Sequence, residues 1–290
     1  YPIMLKGTAG GGGIGMALCE TPDELNENFD RVCRLAESNF GNAGIFLEKF
    51  FPQARHLEVQ VFGDGEGRAL SLGVRDCSAQ RRNQKVLEET PPIGVNSKTL
   101  EALEESARNL AKSVSYLSAG TVEFLYDEDT DSFFFLEVNT RLQVEHGVTE
   151  LVHGIDLVEW MIQLSRGDSS MFDEAIPSLQ GHAVQARIYA ENPARNFEPC
   201  SGMISSVKFP EDVRLDGWVQ DGTEVTPFYD PLLAKILAHG KDRNEAIQKL
   251  QAALSKAEIH GIETNIEYLN DWVKKHWSRM EPIHTRSLET

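Results

Sequence analysis

Hydrophobic and polar positions along the chain predict a fold that mixes helices with antiparallel strands. Strict alternation over residues 56–62, turn residues at 64–67 and an apolar run at 69–74 predict one β-hairpin. Residues 120–126 and 133–139, joined by an acidic turn, predict a second hairpin. Apolar residues at helical spacing predict helices over residues 24–38, 99–116 and 155–166. Short strands and two helices capped by Asp242 and Thr264 follow beyond residue 182.

The N-terminal segment predicts a hairpin with a glycine-rich tip. Strands at residues 1–6 and 16–18 flank a run of glycines over residues 7–15, and a capping box with Pro22 starts the next helix at Thr21. Backbone N–H groups of such a tip can approach phosphates closely, and Lys6 stands at its base. The GxGxxG spacing of Gly10, Gly12 and Gly15 lacks the helix that a dinucleotide fold requires. The alternative is a mobile surface linker.

Polar side chains emerge at alternate positions from the strand at residues 133–139. If the strand stays extended, one face carries apolar and then polar residues: Phe133, Phe135, Glu137, Asn139, Arg141, Gln143 and Glu145. A carboxylate beside an amide suits Mg²⁺, and the arginine suits an anion. This combination favours phosphoryl transfer, whereas the alternative is a solvated strand end.

Two further features strengthen the prediction of a charged site. The hairpin closed at residues 127–132 brings Glu123 close to Glu137, which makes the two a candidate Mg²⁺ pair with Asn139 as a further ligand. The alternative is a structural pair in which one carboxyl is protonated or faces away. A basic run at residues 75–85 interrupts the strands of a strongly acidic protein, which favours an anion pocket over a solvated face.

Charge and composition exclude some classes of function. The 290 residues carry a net charge of −17, which argues against nucleic acid as a partner. No apolar run approaches the roughly 18 residues of a membrane span. The four cysteines are scattered without metal spacing and are interpreted as reduced, intracellular thiols. The chain starts without Met and already inside a strand, so we expect it to be a piece of a longer protein.

The motifs together resemble the biotin carboxylase component of biotin-dependent carboxylases. The resemblance rests on Lys6 with the glycine flap, Glu48-Lys49, His56, Arg75-Asp76-Cys77-Ser78, Gln80-Arg81-Arg82-x-Gln84-Lys85, Gly120-Thr121-Val122-Glu123-Phe124, the run at 137–146 and Tyr229-Asp230. Within the family the chain looks most like the biotin carboxylase domain of urea carboxylases. The resemblance implies the α+β fold class, with an ATP-grasp fold over residues 1–172 that lacks its N-terminal part and has a flap at about 1–50. A biotin carboxylase C-terminal α+β domain would follow over residues 173–290.

This resemblance also implies a reaction and its partners. Bicarbonate attacks the γ-phosphate of ATP, the resulting carboxyphosphate releases CO₂ and phosphate, and biotin captures the CO₂ after phosphate has removed its ureido proton. The implied cofactors are ATP, Mg²⁺ (or Mn²⁺) and biotin, which is a substrate carried on a biotin carrier domain. The parent protein would also contain a carboxyltransferase domain, form a homodimer and lie in the cytoplasm, with a mitochondrial parent left open.

Individual roles follow from the resemblance residue by residue. Nucleotide binding is implied for Lys6, Gly10, Gly11, Gly12, Gly13, Glu48, Lys49, His56, Gln80, Asn83 and Leu125. Metal binding is implied for Glu123, Glu137 and Asn139. Bicarbonate would be held by Lys85, Arg141, Gln143 and the backbone of Val144. Glu145 would deprotonate bicarbonate, and Arg187 would stabilise the biotin enolate.

The sequence departs from the family pattern at several positions. Asn83 stands in place of a histidine, Gly147 in place of a proline, and Cys200 lies in an altered turn. The expected absence of the N-terminal lobe would leave this chain with little or no activity of its own. Two alternatives therefore stay open: another ATP-grasp ligase such as a carbamoyl-phosphate synthase half, and a non-catalytic assembly or dimerisation module.

Overall fold

The computed structural model describes residues 1–8, 15–42, 44–277 and 282–288. Its strands are β1 (Ile3–Gly7), β2 (Met16–Cys19), β3 (Ile45–Lys49), β4 (Arg55–Asp64), β5 (Ala69–Arg81), β6 (Gln84–Thr90), β7 (Leu117–Asp127), β8 (Ser132–Asn139), β9 (His182–Tyr189), β10 (Glu191–Asn192), β11 (Glu198–Pro199), β12 (Gly202–Met203), β13 (Ser206–Lys208), β14 (Arg214–Gly217), β15 (Glu224–Val225), β16 (Leu232–Gly240) and β17 (Glu258–His260). Its helices are α1 (Pro22–Phe40), α2 (Ser97–Ser113), α3 (His146–His153), α4 (Leu157–Ser165), α5 (Arg243–Lys256) and α6 (Ile266–Trp272), with a π-helical turn after α6 (Val273–Trp277). Among the described residues, no helix is long and apolar enough to cross a membrane.

An eight-stranded antiparallel sheet organises the molecule, in the order β14-β16-β9-β6-β5-β4-β7-β8. A smaller sheet, β2-β1-β3, and three two-stranded pairs accompany it. The large sheet crosses the predicted domain boundary, because β6 pairs with β9 from Leu87 opposite Ala186 to Thr90 opposite Ala183. Helices and antiparallel strands therefore mix as the α+β class predicts, whereas the division at residues 172 and 173 stays a prediction.

The two faces of the large sheet differ in chemistry, because side chains alternate along each strand. Beneath α2, one face buries apolar side chains of β4 and β7: Leu57, Val59, Val61, Val122 and Phe124. The intervening positions of β4 bury polar side chains instead: His56, Glu58 and Gln60. Buried polar groups need partners, so the second face is the one that can hold a network of charges.

The C-terminal part of the sheet is covered on both faces. Leu250 of α5 and Leu269 of α6 pack against Ile188 of β9 and Ile236 of β16 in the largest hydrophobic cluster. On the other face, a smaller cluster joins α3 to the sheet through Val148, Val152, Ala183 and Leu237. This packing brings the start of α3 next to β9, which carries Arg187.

The predicted N-terminal hairpin is confirmed. β1 and β2 pair antiparallel from Ile3 opposite Cys19 to Lys6 opposite Met16. Thr21 caps α1 as predicted, since its hydroxyl oxygen accepts a bond from the backbone N–H of Glu24 at 3.2 Å. Residues 9–14 of the predicted phosphate-binding tip lie outside the described residues, and so do four predicted nucleotide ligands: Gly10, Gly11, Gly12 and Gly13.

The prediction that one face of β8 carries both its apolar start and its polar end is wrong. Pairing with β7 shifts by one residue, because Glu123 lies opposite Glu137 whereas Phe124 lies opposite Phe135. The extra residue, Leu136, forms a β-bulge, and one inserted residue reverses the alternation of side chains. The apolar residues before the bulge can therefore face α2 while the polar residues after it line the opposite face.

The basic run at residues 75–85 does not interrupt the strands as predicted. β5 continues to Arg81, β6 begins at Gln84, and the two strands form a hairpin. Arg82 and Asn83 form its turn with φ angles of 50° and 61°, values that asparagine tolerates better than most residues. The run is therefore part of the sheet, and neighbouring basic side chains point to different partners.

Two details of the predicted helices also differ. α3 was not predicted, because a glycine and several β-branched residues hide its helical spacing. The predicted cap at Thr264 does not form, and α6 begins at Ile266 after Asn265. The side chain of Asn265 instead binds β9, accepting from the backbone N–H of Tyr189 at 2.8 Å and donating to the carbonyl of Arg187 at 3.0 Å.

Candidate functional site

A cleft of about 540 Å³ opens between the small sheet and the polar face of the large sheet. It brings together every described residue that the sequence predicts for the site: Lys6, Glu48, Lys49, His56, Gln80, Asn83, Lys85, Glu123, Leu125, Glu137, Asn139, Arg141, Gln143, Val144, Glu145 and Arg187. The fold therefore brings these residues together in one cavity, and the role of each stays a prediction.

Lys85 is the centre of the charged network. Its ammonium nitrogen lies 2.5 Å from Glu58 Oε2, 2.7 Å from Glu123 Oε1 and 2.7 Å from Glu145 Oε1. The side chain of Lys85 is only 11% exposed, so these contacts are poorly screened by solvent. Burial alone would lower the pKa of Lys85, but the surrounding carboxylates outweigh burial and raise it well above its usual range.

Two buried charged residues, Glu58 and Arg75, hold the ammonium group of Lys85 in place. Glu58 is fully buried and accepts from Arg75 Nε at 2.6 Å with its second carboxylate oxygen. Arg75 is also fully buried and donates to Gln60, Thr149 and Thr121 at 2.7 to 3.1 Å. These bonds fix the orientation of Glu58, and Glu58 in turn fixes the ammonium group of Lys85.

Glu123 and Glu137 face each other across β7 and β8, as the sequence predicts. Asn139 Nδ2 lies 2.9 Å from Glu123 Oε1 and 3.3 Å from Glu137 Oε1. Two carboxylates and an amide, whose oxygen can replace its nitrogen by a flip, are the donor set that Mg²⁺ and Mn²⁺ prefer. These three residues therefore fit the predicted divalent cation.

His56 and Gln80 lie beside Glu123. His56 Nε2 is 3.0 Å from Glu123 Oε2, and His56 Nδ1 is 2.9 Å from Gln80 Nε2. Burial alone would raise the pKa of Glu123, but the hydrogen bond and charge of His56 and the charge of Lys85 hold it well below its usual range. Glu123 is therefore ionised over the physiological pH range and available to a cation.

Glu145 occupies the loop just before α3, where it is 2% exposed. Its two carboxylate oxygens accept from Lys85 Nζ at 2.7 Å and from an Arg187 terminal nitrogen at 2.9 Å. Burial alone would raise the pKa of Glu145, but the positive charges of Lys85, Arg187 and Arg75 outweigh it and hold the pKa well below its usual range. Glu145 is therefore an ionised carboxylate, and the two cations that bind it, Lys85 and Arg187, also line the cleft.

The loop between β8 and α3 supplies the remaining predicted anion ligands. Gln143 Nε2 donates to Glu123 Oε1 at 3.0 Å, and the carbonyl of Val144 accepts from Lys235 Nζ at 2.5 Å. Arg141 is exposed at the mouth of the cleft, and among the described residues its contacts are long, 3.4 Å to both Asn139 Oδ1 and the carbonyl of Leu142. Its guanidinium group is therefore the least committed positive charge among the predicted anion ligands.

The opposite end of the cleft suits a planar, partly apolar ligand. Lys6 Nζ forms an ion pair with Glu48 Oε2 at 2.9 Å, between neighbouring strands of the small sheet. Lys49 Nζ lies 4.6 Å from the centre of the Phe51 ring. Apolar side chains line the same end, among them Met4, Phe51, Leu125 and Leu136. A nucleotide base could stack on these apolar side chains while its polar edge forms hydrogen bonds with backbone and charged groups.

Sequence reasoning missed three buried charges that hold the site together: Glu58, Arg75 and Glu88. A signal for Glu58 did exist, since His56, Glu58 and Gln60 occupy alternate positions of an otherwise apolar strand. The two arginine partnerships carry no local signal, because Arg75 lies 17 positions from Glu58 and Arg187 lies 99 positions from Glu88. Only the order of strands in the sheet brings these residues together.

Two family models together cover most of the chain. The model of the carbamoyl-phosphate synthase L chain, ATP binding domain, matches residues 1–171. The model of the biotin carboxylase C-terminal domain matches residues 185–290. These matches confirm the predicted fold, an ATP-grasp domain followed by a biotin carboxylase C-terminal domain.

Similar proteins are known by sequence and by structure. The urea amidolyase of Saccharomyces cerevisiae is 50% identical over 290 residues, which are 100% of this chain and 16% of that protein. The biotin carboxylase domain dimer of Hydrogenobacter thermophilus 2-oxoglutarate carboxylase, in complex with MgADP, ADP and bicarbonate, superposes with a TM-score of 0.95 at 37% identity, covering 100% of this chain and 64% of that one. The urea carboxylase of Kluyveromyces lactis gives a TM-score of 0.80 at 43% identity, covering 93% of this chain and 23% of that one. The chain thus spans less than two thirds of the length of each.

Proposed function

Because this chain belongs to the biotin carboxylase family of ATP-grasp enzymes, we propose that it carboxylates biotin with bicarbonate at the expense of ATP. The observation that carries this proposal is the position of Glu145, a buried carboxylate held between Lys85 and Arg187 at the base of the cleft. A base, two cations and an adjacent carboxylate pair are the groups needed to activate bicarbonate beside a nucleotide.

Shared cations give Glu145 a way to become a stronger base when bicarbonate binds. A bicarbonate anion held by Arg141 and Gln143 would also draw on the charges of Lys85 and Arg187. Each cation that turns toward the substrate stabilises the Glu145 carboxylate less, so its affinity for a proton rises. Glu145 then accepts the bicarbonate proton as the bicarbonate oxygen bonds to the γ-phosphorus and ADP leaves with the electrons of the broken P–O bond.

Glu123, Glu137 and Asn139 would hold the divalent cation. When bound, Mg²⁺ or Mn²⁺ neutralises the phosphate oxygens and orients the γ-phosphoryl group. The residues themselves contribute an ionised Glu123, kept so by Lys85 and His56, and an exposed Glu137 at the cleft surface. Lys6, Glu48, Lys49 and Leu125 would bind the nucleotide at the other end of the cleft.

Arg187 would act on biotin after carboxyphosphate has broken down to CO₂ and phosphate. Phosphate takes the ureido proton, negative charge develops on the ureido oxygen, and the ureido nitrogen then bonds to CO₂. The guanidinium of Arg187 reaches the cleft from β9 and can stabilise that oxygen.

We place this activity in a larger, urea carboxylase-like protein that would also supply a biotin carrier domain and a carboxyltransferase domain. The high identity to Saccharomyces cerevisiae urea amidolyase supports urea as the final acceptor. Dimerisation is proposed because the similar Hydrogenobacter thermophilus domain is a dimer. A cytoplasmic location is proposed as well, with a mitochondrial parent as the alternative, and fractionation of the source cells would distinguish the two.

The test measures ATP cleavage by that larger protein with bicarbonate and Mg²⁺, with and without free biotin, because this chain alone is expected to have little or no activity. We expect biotin to stimulate ADP release, and Glu145→Gln to abolish that stimulation while ATP binding persists. Glu267→Gln is the matched control, because it makes the same substitution at an exposed position of α6. Stimulation that survives Glu145→Gln would refute the assigned role of this carboxylate.

The same measurement separates the alternatives. Bicarbonate-dependent ATP cleavage that biotin does not stimulate would favour another ATP-grasp ligase. This alternative is a candidate because the family model that matches residues 1–171 takes its name from carbamoyl-phosphate synthase. Absence of both Mg²⁺-dependent ATP binding and ATP cleavage would favour an assembly or dimerisation module.

A further inference from the structure

Glu88 of β6 is a fully buried carboxylate that lies beneath the cleft without lining it. One of its oxygens accepts from Arg187 Nε at 2.5 Å, and the other accepts from Gln185 Nε2 at 2.9 Å. Glu88 and Gln185 sit opposite each other in the β6–β9 pairing, so the sheet itself aligns these groups. The proposed reaction does not use Glu88 directly.

Arg187 is shared between two carboxylates. Its Nε binds Glu88, one terminal nitrogen binds Glu145 at 2.9 Å, and the other lies 3.5 Å from the hydroxyl of Tyr189. Contacts at two positions of a planar guanidinium fix both its place and its plane. The backbone of Arg187 is held separately, because its carbonyl accepts from Asn265. The two carboxylates, Glu88 and Glu145, therefore determine the direction of the Arg187 side chain.

The two contacts differ in how they respond to the proposed reaction. Glu145 loses its negative charge when it accepts the bicarbonate proton, and its attraction for Arg187 falls with it. Glu88 cannot exchange a proton with a substrate, because it is fully buried and does not line the cleft. Its bond to Arg187 therefore persists through the step in which the bond to Glu145 weakens.

We infer that Glu88 is a positioning residue that keeps the Arg187 guanidinium aimed into the cleft while Glu145 changes its charge. This inference rests on the proposed function for the roles of Glu145 and Arg187, but the contact between Glu88 and Arg187 does not. The electrostatics of Glu88 support this inference. Burial raises the pKa of Glu88, and the positive charge of Arg187 opposes that effect and so favours the ionised carboxylate. Without Glu88, the guanidinium would lose its strongest fixed anion and follow Glu145 or solvent.

The position of Arg187 can be observed without turnover. In a chain labelled with [¹⁵N]arginine, the Arg187 Nε–H signal is assigned by its loss in Arg187→Lys. We expect Glu88→Gln to shift this signal and to speed its hydrogen exchange about tenfold, because a charge-assisted bond is roughly twice as strong as a neutral one. Glu88→Asp keeps the charge on a shorter side chain, and it should give a smaller change in the same direction.

Glu89→Gln is the matched control. Glu89 is the neighbouring buried carboxylate of β6, but it binds Arg243 and His182 instead of Arg187. The Arg187 signal should stay unchanged in this variant. An unchanged signal in Glu88→Gln and Glu88→Asp would overturn the inference, and so would an equal change in Glu89→Gln, which would point to a general loss of packing.

Kinetics then connect the position of Arg187 to the reaction. We expect Glu88→Gln to lower kcat for biotin-stimulated ATP cleavage about tenfold, since an aimed charge is lost, and to leave KM for MgATP within about twofold. A changed Arg187 signal with unchanged kcat would overturn the link to catalysis. Lack of any biotin stimulation in the unsubstituted larger protein would refute the proposed function instead, and the Arg187 signal would still decide whether Glu88 positions this side chain.

Discussion

Replacing Lys85 with methionine tests whether one ammonium group holds the charged site together. Methionine has a similar length and no charge, so Lys85→Met removes the three contacts to Glu58, Glu123 and Glu145 while keeping most of the volume. The loss leaves buried carboxylates without their shared cation. Removing one partner from a buried ion pair costs about 3 to 5 kcal/mol, and we expect a loss of folding free energy in this range at pH 8.

The loss should depend on pH, with a sign set by Glu145. In the unsubstituted chain the pKa of Glu145 lies below the ordinary 4.5, so its ionised form stabilises the fold above pH 4.5, and this contribution disappears only as the pH falls through the lowered pKa. In Lys85→Met, burial is less compensated and raises that pKa. The variant therefore loses stability as the pH rises above about 4.5, and the difference between the two proteins grows from pH 5 to pH 8.

Urea denaturation followed by circular dichroism at pH 5, 6, 7 and 8 measures this difference, with EDTA present so that no cation replaces the ammonium group. Lys249→Met is the control, because Lys249 pairs with Glu245 at the surface, where solvent screens the charges, and its loss should change stability little at any of these pH values. A difference below about 1 kcal/mol for Lys85→Met, or one that is flat from pH 5 to pH 8, would refute the central role of Lys85.

Three further predictions follow from single contacts. Glu137→Gln should raise the Mg²⁺ concentration needed for half-maximal ATP binding about tenfold, equivalent to about 1.4 kcal/mol, whereas Asp129→Asn in the exposed turn should not; equal midpoints would contradict the metal assignment. Burial alone would raise the pKa of Glu89, but hydrogen bonds from His182 and Arg243 lower it from 4.5 to about 2. Glu89→Gln should therefore cost about 3 kcal/mol in urea denaturation at pH 7, and less as the pH falls from 4.5 toward 2. Gly63→Ala should lower the free energy of unfolding by about 3 kcal/mol, because the added Cβ would lie 2.0 Å from the carbonyl oxygen of Tyr116; a loss under 1 kcal/mol would contradict this.

Local patterns were enough to predict the strands and helices whose side chains repeat with a clear period. The alternation at residues 56–62 gave β4, and the capping residues at Thr21 and Asp242 gave the starts of α1 and α5. Pairing of Glu123 with Glu137 was also predictable, because a short turn fixes the register of a hairpin. Each of these features is decided by residues close together in the chain.

Features that depend on contacts between distant strands could not be predicted from the local sequence pattern. The bulge at Leu136 changes which residues share a face, and nothing in the local sequence distinguishes a bulged strand from a regular one. The predicted cap at Thr264 does not form, and the side chain of Asn265, just before α6, binds two backbone groups of β9 instead of capping the helix. The resemblance to a known family identified the cleft residues, but it did not identify the buried charges beneath them.

Those buried charges bear on how a chain with a net charge of −17 would bind the anions proposed for this cleft. Around Lys85 and Arg187 the fold buries four carboxylates, Glu58, Glu88, Glu123 and Glu145, against three cations, Lys85, Arg75 and Arg187, which leaves an excess of one negative charge. The exposed Glu137 and Arg141 at the cleft surface cancel each other. A divalent cation at Glu123 and Glu137 would turn this excess into one positive charge, so metal binding would make the cleft attractive to phosphate and bicarbonate. Anion affinity at this site should therefore depend on the metal, and the buried Arg75 serves chiefly to hold Glu58 in place.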